Sequence, residues 1–311
     1  MNNCIEHHRN NKVGQNMKEE ILRLKKRRNA VILAHVYQKG EIQDIADYVG
    51  DSLDLSRQAV GAEADLIIFC GVKFMAETAA ILNPEKKVLL PDKNAGCDLA
   101  DMATVRQLKI LKKEYPSALV VSYINSSADI KAESDICCTS ANAVNVVNSL
   151  NANQVLFVPD RNLGSYVDEH TNKDVVLWNG YCYVHENITV QRLNVLKAEY
   201  PAAEIIVHPE CPGPVRHISD FVGSTSQMSQ YVFKSKQKEF IVGTEDNFIF
   251  RLKKDNPEKK FYPLNTLCEG MNEITLEKLK SALEKTEHEV TVKEEVRIKA
   301  KIALDKMLMI Q

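Results

Sequence analysis

Three cysteines stand apart from the other five in this chain: Cys97 in "NAGCDL", Cys182 in "NGYCYVH" and Cys268 in "NTLCEGM", separated by 85 and 86 residues. None belongs to a Cys-x-x-Cys pair, and structural zinc usually takes four ligands, often in close-spaced pairs. Three isolated thiolates suit instead a cubane [4Fe-4S] cluster that leaves one iron without a protein ligand. Such an iron can act as a Lewis acid on a substrate oxygen or carboxylate. A single buried cysteine is commonly a small hydrophobe, the reading given to Cys70, with Cys137 and Cys138 packing nearby the second unit's hydroxyl. Cys211 in "HPECPGP" offers a fourth thiol, but it has no counterpart elsewhere in the chain.

Other polar residues keep the same rhythm. His35, Tyr123 and His208 each end an apolar, β-branched run, and seventeen residues beyond each stands a small hydroxyl: Ser52, Ser140 and Thr225. Each hydroxyl opens an amphipathic stretch, the place of a helix N-cap. A lone serine there is usually only a cap, and a lone histidine after a strand is usually structural. Three matched copies are harder to dismiss, because helix N-termini attract anions.

The elements that must hold these residues also repeat. "EYPSALVVSYIN" from Glu114 and "EYPAAEIIVHPE" from Glu199 lie 85 residues apart, each a helix end, a proline and a strand. A third copy begins with a helix from about Met17 to Arg27 and the strand "AVILAH". Each copy then alternates helices with two more strands, which favours parallel sheets covered on both faces. The expected fold is α/β: three repeated three-layer αβα, Rossmann-like sandwich units around a pseudo-threefold axis, with the active site at their shared centre. The units are expected over 17–100, 101–186 and 187–272. A disordered lead-in is expected over 1–16, and C-terminal helices over 273–311 packing on the first unit. Ligands of open parallel sheets bind beyond the carboxyl ends of the strands, so a small, multiply anionic ligand is expected.

Composition narrows the classes. Hydrophobic residues make up 44% and charged residues 26% of 311, enough for an ordinary globular core, and the formal net charge of -2 favours neither nucleic acid nor a membrane surface as partner. No apolar run approaches the roughly 18 residues of a membrane span, and the polar N-terminus lacks a secretory h-region. A cytoplasmic location is expected, where thiols stay reduced or bind metal.

Several longer motifs carry a resemblance. "AHVYQKGEIQDIADYVGDSLDLSRQA", "IFCGVKFMAETAAIL", "PDKNAGCDLAD", "SYINSSADIKAESDICCTSANAV", "WNGYCYVHE", "VHPECP", "VGST" and "FIVGTE" resemble the quinolinate synthase family of NAD biosynthesis, from about Met17 to Leu279. The resemblance implies condensation of iminoaspartate with dihydroxyacetone phosphate to quinolinate, releasing phosphate and two waters. It implies one [4Fe-4S] cluster on Cys97, Cys182 and Cys268. Implied substrate contacts are His35, Ser52, Tyr123, Asn125, Ser140, His208, Glu210 and Thr225, and implied catalytic residues are Tyr37, His185 and Glu210. Val36 and Asp98 depart from the family pattern, Asp98 adding a negative charge beside Cys97. The implied partners are the two small substrates and a transient contact with the enzyme that produces iminoaspartate. Other readings of the same residues are a different non-redox Fe–S dehydratase and an Fe–S electron-transfer or sensor protein. A nucleotide-binding module is disfavoured, since no unit carries G-x-G-x-x-G after its first strand.

Overall fold

The computed structural model describes residues 2–310, with side chains from 15 to 310. The lead-in expected to be disordered over 1–16 is helical from Asn2 on, and its side chains up to 14 lie outside the described residues. The helix expected from Met17 is α1 (Asn2–Arg27).

Three units then follow one order of elements. The first continues with β1 (Ala30–His35), α2 (Gly40–Gln43), β2 (Tyr48–Gly50), α3 (Ser52–Gly61), β3 (Leu66–Cys70), α4 (Lys73–Leu82), β4 (Lys87–Leu89) and α5 (Asp98–Asp101). The second comprises α6 (Val105–Glu114), β5 (Leu119–Tyr123), α7 (Ala128–Ala132), β6 (Ile136–Cys138), α8 (Ala143–Ser149), β7 (Gln154–Val158), α9 (Arg161–Asp168), β8 (Asp174–Leu177) and α10 (Tyr183–Glu186). The third comprises α11 (Val190–Glu199), β9 (Glu204–Val207), α12 (Gly213–His217), β10 (Phe221–Val222), α13 (Thr225–Lys234), β11 (Glu239–Gly243), α14 (Phe248–Asp255), β12 (Lys260–Tyr262) and α15 (Glu269–Asn272). Helices α16 (Leu276–Lys285) and α17 (Glu294–Leu308) close the chain.

Each unit is one all-parallel sheet, ordered β2-β1-β3-β4, β6-β5-β7-β8 and β10-β9-β11-β12. The central strands are buried apolar runs, as strands covered on both faces must be; every residue of β3 is buried. The fourth strand of each sheet, β2, β6 or β10, was not expected. It is only two or three residues long, too short to show a period.

A carboxylate starts each of these short edge strands. Asp47 Oδ2 accepts the Ile32 N–H, Asp135 Oδ2 that of Val120, and Asp220 Oδ2 that of Ile205, each at 2.8 Å. The backbone N–H of the same aspartate returns to the carbonyl of its partner. The two bonds pin the edge strand beside the first strand.

The repeated Glu-Tyr-Pro marks the same event twice. Tyr115 and Tyr200 are C-caps of α6 and α11, and the proline that follows cannot continue the helix. Thr104, Thr189 and Thr275 cap α6, α11 and α16 by accepting the N–H three residues on. The C-terminal helices divide between units. Helix α16 packs on α1 and β3, whereas α17 lies against α7 and β6 of the second unit and reaches α4 of the first. Its buried Ala300, Ala303, Leu304 and Met307 form a stripe at helical spacing that fits an apolar surface between units. No helix among the described residues is long and apolar enough to cross a membrane.

Candidate active site

One cavity is lined from all three units. All thirteen side chains singled out from the sequence stand on its wall: the three cysteines, His35, Tyr123 and His208, the hydroxyls Ser52, Ser140 and Thr225, and Tyr37, Asn125, His185 and Glu210. The carboxyl ends of three parallel sheets thus open on one space.

The hydroxyls face it without being the caps they were expected to be. Asp51 caps α3, accepting from Leu53 N and Asp54 N, and Ser224 caps α13 in a capping box with Gln227. Ser52 and Thr225 are the first residues of those helices, while Ser140 lies in the turn before Asn142, the N-cap of α8. Once the neighbouring side chain has taken the free helix N–H groups, the hydroxyl is left available to a ligand. Asp51 also ties two units together, its Oδ2 accepting from Ser226 Oγ at 2.7 Å.

His35 and His208 share one local device. The Tyr37 N–H donates to His35 Nδ1 at 3.2 Å, and the Glu210 N–H to His208 Nδ1 at 3.3 Å. With Nδ1 accepting, the ring proton sits on Nε2. Burial pushes the His35 pKa down to about 3 and also lowers that of His208. Both rings are therefore neutral N–H donors at neutral pH; in this structure His208 Nε2 and Ser140 Oγ are 3.1 Å apart.

The three cysteines are equivalent in detail. Each is the N-cap of a four-residue helix, α5, α10 or α15. Burial raises each thiol's pKa and holds it neutral, that of Cys268 being pushed up to about 11. A cation reverses that balance, because a coordinated thiol loses its proton. The same three thiols also line a second cavity with Asp98, Tyr183 and Glu269, so they are shared between two open spaces. Three thiols on the wall of one cavity, beside the buried and unpaired Asn125 Oδ1 and Glu210 Oε1, are a donor set that fits a metal cluster. Cys211 lines neither cavity; it is fully buried, with its thiol 3.5 Å from the Gly243 carbonyl. Cys70, Cys137 and Cys138 are buried in the core, and Cys4 lies outside the described residues.

Among the described residues, the one group whose ligating atoms all lie within 4.8 Å is Cys182, His185 and Glu210. His185 is already engaged there. Its Nε2 is 2.9 Å from Thr244 Oγ1, and its Nδ1 is 2.9 Å from Glu210 Oε2, off the line of a good hydrogen bond. Thr244 Oγ1 in turn meets Tyr37 Oη at 2.5 Å. A chain of four polar groups, Tyr37, Thr244, His185 and Glu210, thereby crosses all three units. Burial would raise the Glu210 pKa, but the neighbouring imidazoles of His185 and His208 outweigh it and hold the carboxyl below its usual range. Burial keeps the Tyr37 phenol protonated, its pKa well above the usual tyrosine value.

Sequence reasoning missed Thr244, although it sits in the "FIVGTE" segment, because a neutral threonine after a strand carries no chemical signal. It also missed Asp160 and Glu245, buried carboxyls at the ends of β7 and β11. Their signal was a shared position, two residues past each second strand.

A family model described as "NadA: Quinolinate synthetase A protein" matches residues 19–309. The chain is 52% identical to "Quinolinate synthase 2" of Methanosarcina acetivorans, over 93% of this chain and 94% of that one. It is 52% identical to "Quinolinate synthase" of Dehalococcoides mccartyi, over 93% of this chain and 96% of the relative. It is 50% identical to that of Thermodesulfovibrio yellowstonii, over 93% and 97%.

Proposed function

This chain belongs to the quinolinate synthetase A protein family, and we propose that it condenses iminoaspartate with dihydroxyacetone phosphate to form quinolinate, releasing phosphate and two waters. The observation that carries the reading is the single cavity, in which three equivalent thiols share a wall with neutral N–H donors, hydroxyls and a buried proton chain. Cys97, Cys182 and Cys268 would hold a [4Fe-4S] cluster. When bound, it supplies a Lewis-acidic iron that has no protein ligand.

The chain's own residues bind and orient. His35 and His208 present Nε2–H groups, and Ser52, Ser140 and Thr225 present hydroxyls, to the carboxylate and phosphate oxygens of the substrates. The ten-residue helices α3 and α13 begin at the cavity, and their dipoles favour those anions. Holding two anionic reactants in one orientation removes most of the entropic cost of their meeting. Asn125 offers an acceptor without a partner, suited to a substrate N–H or hydroxyl.

Proton transfer falls to the four-group chain. The Glu210 carboxylate stands 2.9 Å from His185 Nδ1, at one end of the chain. His185 can pass a proton through Thr244 to Tyr37 as the phenol gives its own to a leaving hydroxyl. The reverse shift lets the phenol take a proton during imine-to-enamine change. Glu210 then acts as the charge that makes the chain work, in addition to its expected place at the substrate.

The test is an anaerobic assay with iron-reconstituted protein and both substrates. Quinolinate and phosphate should appear in equal amounts. Consumption of neither substrate by protein that carries about four irons would sink the proposal.

A further inference from the structure

Each cysteine loop is tied to the chain just past β3, β7 or β11 by the same backbone bridge. Lys73 N donates to Ala95 O, Arg161 N to Gly180 O and Asp246 N to Thr266 O, each at 2.8 Å. The acceptor always stands two residues before the cysteine. The residue just ahead of the donor differs: Val72, Asp160 and Glu245.

Asp160 is fully buried. Its Oδ1 accepts from Leu163 N at 2.7 Å and caps α9, and its Oδ2 accepts from Cys182 N at 3.2 Å. Glu245 is fully buried too. Its Oε1 accepts from Cys268 N at 3.3 Å and from Asn247 Nδ2 at 3.1 Å, and its Oε2 from Asn247 N at 2.8 Å. An N-cap residue's own N–H has no acceptor inside its helix, so a cysteine at that place needs one from outside. A carboxyl buried this deeply is tolerated only where such N–H groups meet it. Val72 offers no acceptor, and no side chain among the described residues takes the Cys97 N–H.

We propose that Asp160 and Glu245 are positioning residues that fix the backbone of Cys182 and Cys268, so that both sulfurs are aimed at the shared group, while Cys97 is held by its backbone bridge alone. This rests on the reading that the three cysteines hold an iron–sulfur cluster. The two carboxyls act through the cysteines and touch no substrate in this role.

Asp160→Asn isolates the bond. The amide oxygen can stay on Leu163 N and keep the cap, turning its NH2 towards the Cys182 N–H. Glu245→Gln makes the matching change in the third unit. The holoenzyme and both variants are exposed to a strong iron chelator, and loss of the cluster's visible absorbance is timed; thermal melting of the iron-free proteins is followed by circular dichroism. Loss of an outer-shell partner typically weakens metal binding about 10–100-fold, so each variant should lose its cluster at least about tenfold faster, with an altered visible spectrum and an iron-free melting point close to the parent's. Parent-like chelation rates and spectra in both variants would overturn the proposal, including the case where the melting point alone falls, which would make the carboxyls helix caps only. A parent protein that takes up no iron on anaerobic reconstitution overturns the cluster reading and this proposal with it; iron-binding parent and unchanged variants overturn this proposal alone.

Discussion

The three cysteine loops and the three first-strand ends belong to the same repeat, yet they match one another to different degrees. At the loops the units are alike in all but the carboxyl that meets the Cys182 and Cys268 N–H: one cysteine, one four-residue helix, one 2.8 Å backbone bridge to the chain just past β3, β7 or β11. At the strand ends they are not. His35 and His208 share a ring held by the backbone N–H two residues on, but Tyr123 replaces the ring in the second unit. Two residues further the three units carry a phenol, an amide and a carboxyl: Tyr37, Asn125 and Glu210. The difference teaches that a repeat keeps what the backbone builds and lets side chains diverge. A symmetric group can use three equal ligands, whereas an asymmetric substrate needs a different contact from each side.

The largest test of this contrast is to break the equal side. Serine is a poor ligand for such iron, its alkoxide being harder and far more basic than a thiolate. Cys97→Ser, Cys182→Ser and Cys268→Ser should each abolish iron retention and activity, to the same degree, as read by iron analysis and visible absorbance. Cys211→Ser should keep about four irons, with a modest packing cost, because its thiol lines neither cavity. Retention in one of the three, with loss in Cys211→Ser, would end the equivalence.

The unequal side should fail unequally. Thr244→Val removes the hydroxyl that joins Tyr37 to His185 while nearly conserving shape. It should lower kcat by about 10²–10⁴-fold, the usual worth of a positioned proton donor, with iron content unchanged; Thr244→Ser should restore most of the rate. Glu210→Gln should behave like Thr244→Val. A normal kcat in Thr244→Val would remove threonine from the proton path.

The smallest effects belong to the hydroxyls. Ser52→Ala, Ser140→Ala and Thr225→Val should each raise KM several-fold, in line with about 0.5–1.5 kcal/mol for one hydrogen bond, and leave the melting point nearly unchanged, because Asp51 and Ser224 do the capping. A lower melting point with an unchanged KM would return Ser52 and Thr225 to a capping role.

Much of this was legible along the chain. The cysteines, the strand ends and the hydroxyls were found because each recurs at one offset. The aspartates that start the edge strands recur just as regularly, twelve residues past each strand end, at Asp47, Asp135 and Asp220. They went unread because a surface-type residue between elements looks like a loop. The edge strands were too short to carry a pattern, and the partners of α17 were invisible because an amphipathic helix shows which face it buries but not against what.

By itself the sequence determined the number of units, the order of their elements and the ends at which chemistry must lie, because a repeat preserves chain distance and chain distance is what sequence records. Only the tertiary structure decided which side chains meet. Tyr37 and Thr244 are 207 residues apart, and His185 and Thr244 are 59 apart. Their contact depends on how three sheets pack around one cavity, a sum of many weak apolar contacts between units that no local spacing encodes.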